Sequence, residues 1–105
     1  MNILFVCSRN KWRSATAETI YKNHHAHNVR SAGTERSARI KINSKLITWA
    51  DLILVMEKKH RQRISERFPE EIRWKDVIIL DIPDDYKYMD EELIAELNAK
   101  VSDYL

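Results

Sequence analysis

"ILFVCSRNKWRSATAE", residues 3–18, carries the chain's only cysteine, Cys7, at the end of a short apolar run. The run over 2–6 is rich in β-branched and aromatic residues and has the length of a buried strand. Arg13 lies six residues after Cys7 and is followed by Ser14 and a series of good helix formers. The stretch therefore predicts a strand, a short polar loop and a helix, with a thiol at the carboxyl end of the strand.

The rest of the chain continues this alternation of strand and helix patterns. Further strands are predicted over 28–33, 51–56 and 76–82, and helices over 14–27, 43–50, 57–68 and 89–105. The segment 51–56 is a continuous apolar run, which is typical of a strand covered on both faces, and 76–82 is predicted as another buried strand. The order β-α-β-α-β-α-β-α predicts an α/β fold, a single three-layer domain over residues 1–105 with a four-stranded parallel sheet and helices on both faces.

Composition narrows the class of protein. A chain of 105 residues has room for one core, and its 44% hydrophobic and 32% charged residues are typical of a globular protein in water. No apolar run reaches the roughly 20 residues that cross a bilayer, and the first residues lack the pattern of a signal peptide. A lone cysteine forms no internal disulfide, which fits a reducing compartment, so we expect a cytoplasmic protein. The net charge of +2 gives no argument for nucleic acid as a partner.

The loop after the first strand has the chemistry of an anion site. Ligands of open α/β sheets bind at the carboxyl ends of the strands, where the loop amides and the positive end of the next helix converge. Arg9, Lys11 and Arg13 add positive charge around Cys7 and favour its thiolate form. A thiolate beside a forked guanidinium suits attack on a phosphate. The alternative is that Cys7 is a small core residue and Arg13 a surface charge.

Four segments, in order, resemble the low-molecular-weight protein tyrosine phosphatases. The spacing C-x5-R-S and "RSATAE" (13–18) resemble the start of that family, "SAGT" (31–34) its second strand, and "ADLILVMEKKH" (50–60) its third strand. "IPDDY" (82–86) resembles the family's V-P-D-P-Y, with Asp85 at the proline position. The resemblance covers nearly the whole chain, which is similar to a short member of the family. It implies a phosphate-binding loop after strand 1.

The resemblance also implies roles for individual residues. Cys7 matches the nucleophile that forms a cysteinyl-phosphate, Arg13 the clamp on the phosphate, and Ser14 the hydroxyl that donates to the thiolate. Asp84 matches the general acid, with Asp81 and Asp85 as alternatives, and Tyr86 matches an aromatic wall of the substrate cleft. The remaining loop positions are Ser8, Arg9, Asn10, Lys11 and Trp12. Asparagine also tolerates the positive φ that a tight loop requires. No metal or cofactor is implied.

Two loop positions depart from the family. Arg9 stands at a usual glycine and must point away from the loop's interior. Trp12 replaces a second cysteine of many members, so Cys7 is expected to oxidise without a protecting partner. Lys11 and Trp12 are placed at the mouth, although Trp12 is equally suited to packing under the loop. The added positive charge suggests an acidic or polyanionic substrate.

Three functions fit these residues. The first is a phosphatase acting on phosphotyrosine or a related aryl phosphate, whose partner is a phosphorylated protein or a small phosphomonoester. The second is a single-cysteine arsenate reductase that uses an external thiol. The third is a phosphate-binding module without catalysis. An acid at Asp84 favours the first, and neither a membrane nor nucleic acid is expected as a partner.

Overall fold

A four-stranded parallel sheet lies at the centre of the computed structural model, which describes all 105 residues. The elements are, in order, β1 (Asn2–Cys7), α1 (Arg13–Tyr21), β2 (Asn28–Gly33), α2 (Ser44–Trp49), β3 (Leu52–Val55), α3 (Lys58–Arg67), α4 (Pro69–Ile72), β4 (Asp76–Ile79), α5 (Glu91–Val101) and a 3-10 turn, Ser102–Tyr104. The strands are arranged in the order β2-β1-β3-β4, and every neighbouring pair is parallel. The predicted α/β architecture is confirmed.

Both faces of the sheet are covered, because alternate side chains of each strand point to opposite faces. On one face, Ile3, Phe5 and Cys7 of β1 pack in a cluster with residues of α1 and α5. On the other face, Leu4 and Val6 pack with residues of α2 and α3. This double coverage explains why β1 is apolar from Ile3 to Cys7 and β3 at every position. None of the helices has both the length and the apolar character needed to cross a membrane.

Two predicted helices are shorter in the structure. The first was expected over 14–27 but ends at Tyr21, because the polar residues that follow offer nothing to the core and form turns, with His24 N–H donating to Tyr21 O at 2.9 Å. The last was expected over 89–105 but begins after Asp90, whose carboxylate accepts from Glu92 N–H at 2.8 Å as an N-cap. The C-terminal residues form the 3-10 turn instead.

The region around β4 also differs from expectation. The strand was predicted over 76–82 but ends at Ile79, and Asp81 adopts a left-handed conformation with a φ of 62°. Pro69, directly after the predicted helix over 57–68, opens the short α4, since proline is favoured in the first turn of a helix. These differences leave the sheet unchanged and turn residues 80–86 into a loop beside the carboxyl end of β1.

Gly33 allows the loop after β1 to approach β2 closely. A Cβ at this position would lie 2.6 Å from the carbonyl oxygen of Ser8 and 2.7 Å from Cβ of Ala38. Two hydrogen bonds hold the loop in place here, Thr34 N–H to Cys7 O at 3.0 Å and Glu35 N–H to Ser8 O at 2.9 Å. The chain's only glycine therefore lies where no side chain fits, directly against the backbone that follows Cys7.

Candidate active site

The loop over 8–12 turns tightly between β1 and α1. Asn10 has a φ of 57°, which confirms the left-handed conformation expected of it. Its carbonyl oxygen accepts from Arg39 Nε at 3.0 Å, and its side-chain nitrogen donates to Ser14 Oγ at 2.7 Å and to Ser31 Oγ at 2.8 Å. Ser31 in turn donates to the carboxylate of Glu18. Asn10 therefore ties the loop to the start of α1 and to β2 from beneath.

The thiol of Cys7 is surrounded by donors. Its side chain is only 3% exposed, and its Sγ lies 2.9 Å from Ser14 Oγ. The backbone N–H of Asn10 donates to the same sulfur at 3.2 Å. Because Asn10 donates to Ser14 Oγ, the hydroxyl proton of Ser14 is directed either to Cys7 Sγ at 2.9 Å or to the carbonyl oxygen of Ala32 at 3.3 Å. A negative charge on the sulfur is the stronger acceptor and favours the first of these.

Arg13 is almost fully buried and is fixed from two neighbouring loops. Its guanidinium donates to the carboxylate of Glu57, just after β3, and to the carbonyl oxygen of Ile82 at 2.9 Å. Its Nε lies 3.6 Å from the carboxylate of Asp84. Burial raises the pKa of Glu57, but the hydrogen bond and charge of Arg13 outweigh it, so the pKa lies below its ordinary value. Glu57 thus stays ionised and holds the guanidinium at the loop.

These groups meet in one cleft of about 210 Å³. It is lined by Cys7, Ser8, Arg9, Lys11, Trp12, Arg13, Glu35, Lys59 and Asp84. Four cationic side chains face two carboxylates, so the cleft attracts anions. Of the three candidate acids, Asp84 alone lines the cleft, whereas Asp81 and Asp85 are exposed away from it. The thiol, the buried guanidinium and one carboxylate therefore face the same space.

Solved structures with this architecture cover nearly the whole chain. The tyrosine phosphatase Wzb from Escherichia coli K30, in complex with phosphate, superposes with a TM-score of 0.79 at 24% identity over 98% of this chain and 94% of that chain. A low-molecular-weight protein tyrosine phosphatase from T. tengcongensis gives 0.76 at 20% identity over 100% and 99%. The YwlE arginine phosphatase from Geobacillus stearothermophilus gives 0.65 at 23% over 98% and 94%.

This chain has the low-molecular-weight phosphatase fold. No family model matches its sequence, and no curated protein matches it either. The fold likeness therefore rests on the arrangement of the sheet and its helices, and the roles of individual side chains rest on the geometry of this chain alone.

Within the low-molecular-weight phosphatase fold, the aromatic lining differs from expectation. Tyr86 was expected to form a wall of the cleft, but it does not line it and packs instead against the apolar cluster beneath the sheet. Trp12 lines the cleft and is 41% exposed, so of its two expected placements the structure has the one at the mouth. Arg9 points outward, as its position required, with its Nε 3.3 Å from the Glu35 carboxylate.

Two residues of the site were missed in the sequence, Glu57 and His60. They form a reciprocal capping box at the start of α3, in which the Glu57 side chain accepts from the His60 backbone and Glu57 N–H donates to His60 Nδ1 at 3.0 Å. His60 is fully buried, and its Nε2 lies 2.9 Å from Ser8 Oγ. The signal that could have found both is an acidic residue directly after an apolar strand, with a histidine three residues later at the start of a predicted helix.

Proposed function

We propose that this protein is a phosphatase that hydrolyses phosphotyrosine or related aryl phosphate monoesters through a cysteinyl-phosphate on Cys7. The observation that carries this proposal is the convergence of the Cys7 thiol, the buried guanidinium of Arg13 and the carboxylate of Asp84 on one small cationic cleft. The likeness of the fold to tyrosine phosphatases supports it. The substrate is either a phosphorylated protein or a small phosphomonoester.

Two steps account for the reaction. In the first, the Cys7 thiolate attacks phosphorus, the bond to the ester oxygen breaks, and Asp84 gives its proton to the departing oxygen. In the second, the Asp84 carboxylate takes a proton from water, whose oxygen attacks phosphorus and displaces the thiolate. Arg13 binds two phosphoryl oxygens through both steps. The hydroxyl of Ser14 lies 2.9 Å from the sulfur of Cys7 and donates to it as the thiolate leaves phosphorus.

Replacing Asp84 with asparagine is expected to slow hydrolysis most for esters whose leaving group needs a proton. We expect a loss of about 100-fold with phenyl phosphate and a much smaller one with p-nitrophenyl phosphate, whose leaving group departs as an anion. The measurement is kcat for both esters. Asp85→Asn makes the same change one residue away, outside the cleft, and should have no such effect. A larger loss of kcat in Asp81→Asn or Asp85→Asn would identify that residue as the general acid instead of Asp84.

Hydrolysis of p-nitrophenyl phosphate between about pH 4.5 and 8 tests the proposed function itself. Turnover that releases phosphate supports it. Without turnover, two other outcomes overturn it in favour of a different function. Reduction of arsenate with glutathione would make the protein a single-cysteine arsenate reductase, and binding of phosphate without either reaction would make it a binding module.

The charges around the cleft favour phosphotyrosine with acidic neighbours over phosphoarginine. Arg9, Lys11 and Lys59 lie at the rim and repel the cationic guanidinium that a phosphoarginine retains. Lys11 and Trp12 also border a second groove of about 520 Å³, to which Lys22 adds positive charge, whereas Arg39 lies 3.9 Å from the carboxylate of Glu18. Neither lysine of this groove forms a salt bridge within the chain. Both are therefore free to meet acidic side chains of a substrate.

Peptides with one phosphotyrosine and acidic flanks are expected to be better substrates than the same peptides with glutamine flanks. We expect a kcat/KM about tenfold higher, falling as salt is added, since exposed charges are screened. Lys22→Glu should remove much of this preference, whereas Lys45→Glu, the same change on α2 and outside the groove, should not. Equal rates for both peptides, or faster release of phosphate from phosphoarginine, would contradict the assignment.

A further inference from the structure

Ser8 and His60 form a buried contact beside Cys7 that the two reaction steps do not use. Ser8 directly follows Cys7 and lines the cleft, although it is only 6% exposed. Its Oγ lies 2.9 Å from Nε2 of His60, which has no exposed surface at all. A fully buried histidine that contacts a residue of the cleft is unlike a histidine on a solvated helix face, and its hydrogen bonds determine what the serine can do.

The hydrogen bonds around His60 fix which ring nitrogen carries the proton. The backbone N–H of Glu57 donates to Nδ1 at 3.0 Å, so Nδ1 is an acceptor without a proton. The proton of the neutral ring is therefore on Nε2, which donates to Ser8 Oγ. Burial, together with the charge of Arg13, lowers the pKa of His60 to about 4, so this arrangement persists at neutral pH.

The hydroxyl proton of Ser8 consequently has no acceptor in the protein. Its oxygen already accepts from His60, and Ser8 Oγ makes no second hydrogen bond within the chain. A buried donor without a partner is costly, and the only space that Ser8 borders is the cleft that contains Cys7 and Arg13. The proton is thus available to a group bound there, and a phosphoryl oxygen is the acceptor that the cationic cleft selects.

We propose that His60 is a positioning residue that fixes the Ser8 hydroxyl as a donor to a phosphoryl oxygen of the substrate. The effect of this contact on catalysis rests on the proposed function, whereas its effect on phosphate binding does not. The capping box adds a second link, because its carboxylate, that of Glu57, also binds Arg13. The start of α3 therefore positions two donors to the same anion, one through each residue of the box.

Substitutions at His60 separate positioning from simple helix capping. The side-chain nitrogen of glutamine takes the place of Nε2, so His60→Gln keeps a donor to Ser8 and loses the acceptor for Glu57 N–H. The oxygen of asparagine takes the place of Nδ1, so His60→Asn keeps the cap and loses the donor. Ser8→Ala removes the hydroxyl itself. Inorganic phosphate is the probe, with its Kd measured by calorimetry alongside kcat and KM for p-nitrophenyl phosphate.

If His60 positions Ser8, phosphate affinity should fall about tenfold in both Ser8→Ala and His60→Asn, and should stay near wild type in His60→Gln. The double variant Ser8→Ala/His60→Asn should bind phosphate no more weakly than Ser8→Ala, because both changes remove the same hydrogen bond from Ser8 to phosphate. The reverse order, with Gln impaired and Asn intact, would show a cap alone and overturn the proposal. So would a rise in KM without loss of phosphate affinity, because the hydroxyl would then face the leaving group.

Failure of this proposal and failure of the proposed function give different results. If wild type binds phosphate but hydrolyses no ester, the affinities of the three variants still decide the role of His60. If wild type hydrolyses the ester and the variants bind phosphate equally, the function stands and the positioning role is wrong. Urea unfolding of each variant shows whether the protein is folded under the conditions in which its phosphate affinity is measured.

Discussion

Cys7→Ser is expected to lower kcat for p-nitrophenyl phosphate by at least about 1,000-fold while leaving phosphate binding intact. The sulfur is the only thiol among the groups that line the cleft with Arg13, and it lies within hydrogen-bond distance of Ser14 Oγ and the Asn10 N–H. A serine hydroxyl keeps these contacts but stays protonated at neutral pH and is a far weaker nucleophile. The measurement is steady-state turnover, with the Kd for inorganic phosphate as the control for an intact loop.

Two results would contradict the role of Cys7. Retained turnover in Cys7→Ser would place the nucleophile elsewhere, since the chain has no second thiol. Loss of phosphate affinity together with turnover would show a collapsed loop rather than a missing nucleophile. A wild-type enzyme stopped during turnover should also carry one phosphoryl group on Cys7, detectable by mass spectrometry, and this label should be absent from the serine variant.

The fold follows from the sequence because its signals are local and strong. Apolar runs over β1 and β3 and the spacing of buried residues on α3 depend only on period and composition, which the chain displays directly. Helix ends were less predictable. The end of α1 at Tyr21 and the start of α5 after Asp90 depend on whether the following residues find a core to pack against, which is a property of the assembled fold.

The candidate site was predictable only where its residues are close together in the sequence. Cys7, Asn10 and Arg13 lie in the short stretch 7–13, so their spacing alone brings them together. Tyr86 belongs to a loop about 80 residues away along the chain, and its side chain turned towards the core instead of the cleft. Glu57 and His60 belong to the segment 50–60 that resembles the family's third strand, but the sequence assigned neither of them a role in the site. Their roles depend on contacts with Arg13 and Ser8, which are more than 40 residues away in sequence.

The buried charge of Arg13 is stabilised by acceptors of the protein rather than by solvent. Arg13 is 2% exposed, and a guanidinium in such a place is stable only with acceptors that stay in position. One acceptor is the Ile82 carbonyl oxygen at 2.9 Å, fixed by the chain itself because Ile82 N–H donates to Met56 O at 2.8 Å. The other is Glu57, fixed by its capping box. The clamp is therefore pre-oriented before any substrate arrives.

Arg13→Lys is expected to lower kcat/KM for p-nitrophenyl phosphate by about 100-fold or more. Lysine keeps the positive charge and can still pair with Glu57, so the fold should survive, but it has no planar fork to bind two phosphoryl oxygens at once. Because the fork follows these oxygens into the transition state, kcat should fall more than the affinity for inorganic phosphate. The measurements are kcat, KM and the phosphate Kd. Arg73→Lys, the same change at an exposed position outside the cleft, is the matched control.

The ratio of the two losses in Arg13→Lys decides what the buried guanidinium does. If phosphate affinity falls as far as kcat/KM, Arg13 binds the ground state and the transition state equally, and its clamp contributes nothing specific to the chemical step. If kcat falls further than phosphate affinity, the fork binds the phosphoryl oxygens more tightly in the transition state than in the ground state. The structure favours the second result, because the guanidinium is already held by Glu57 and Ile82 and has little freedom to adapt to a ground-state phosphate.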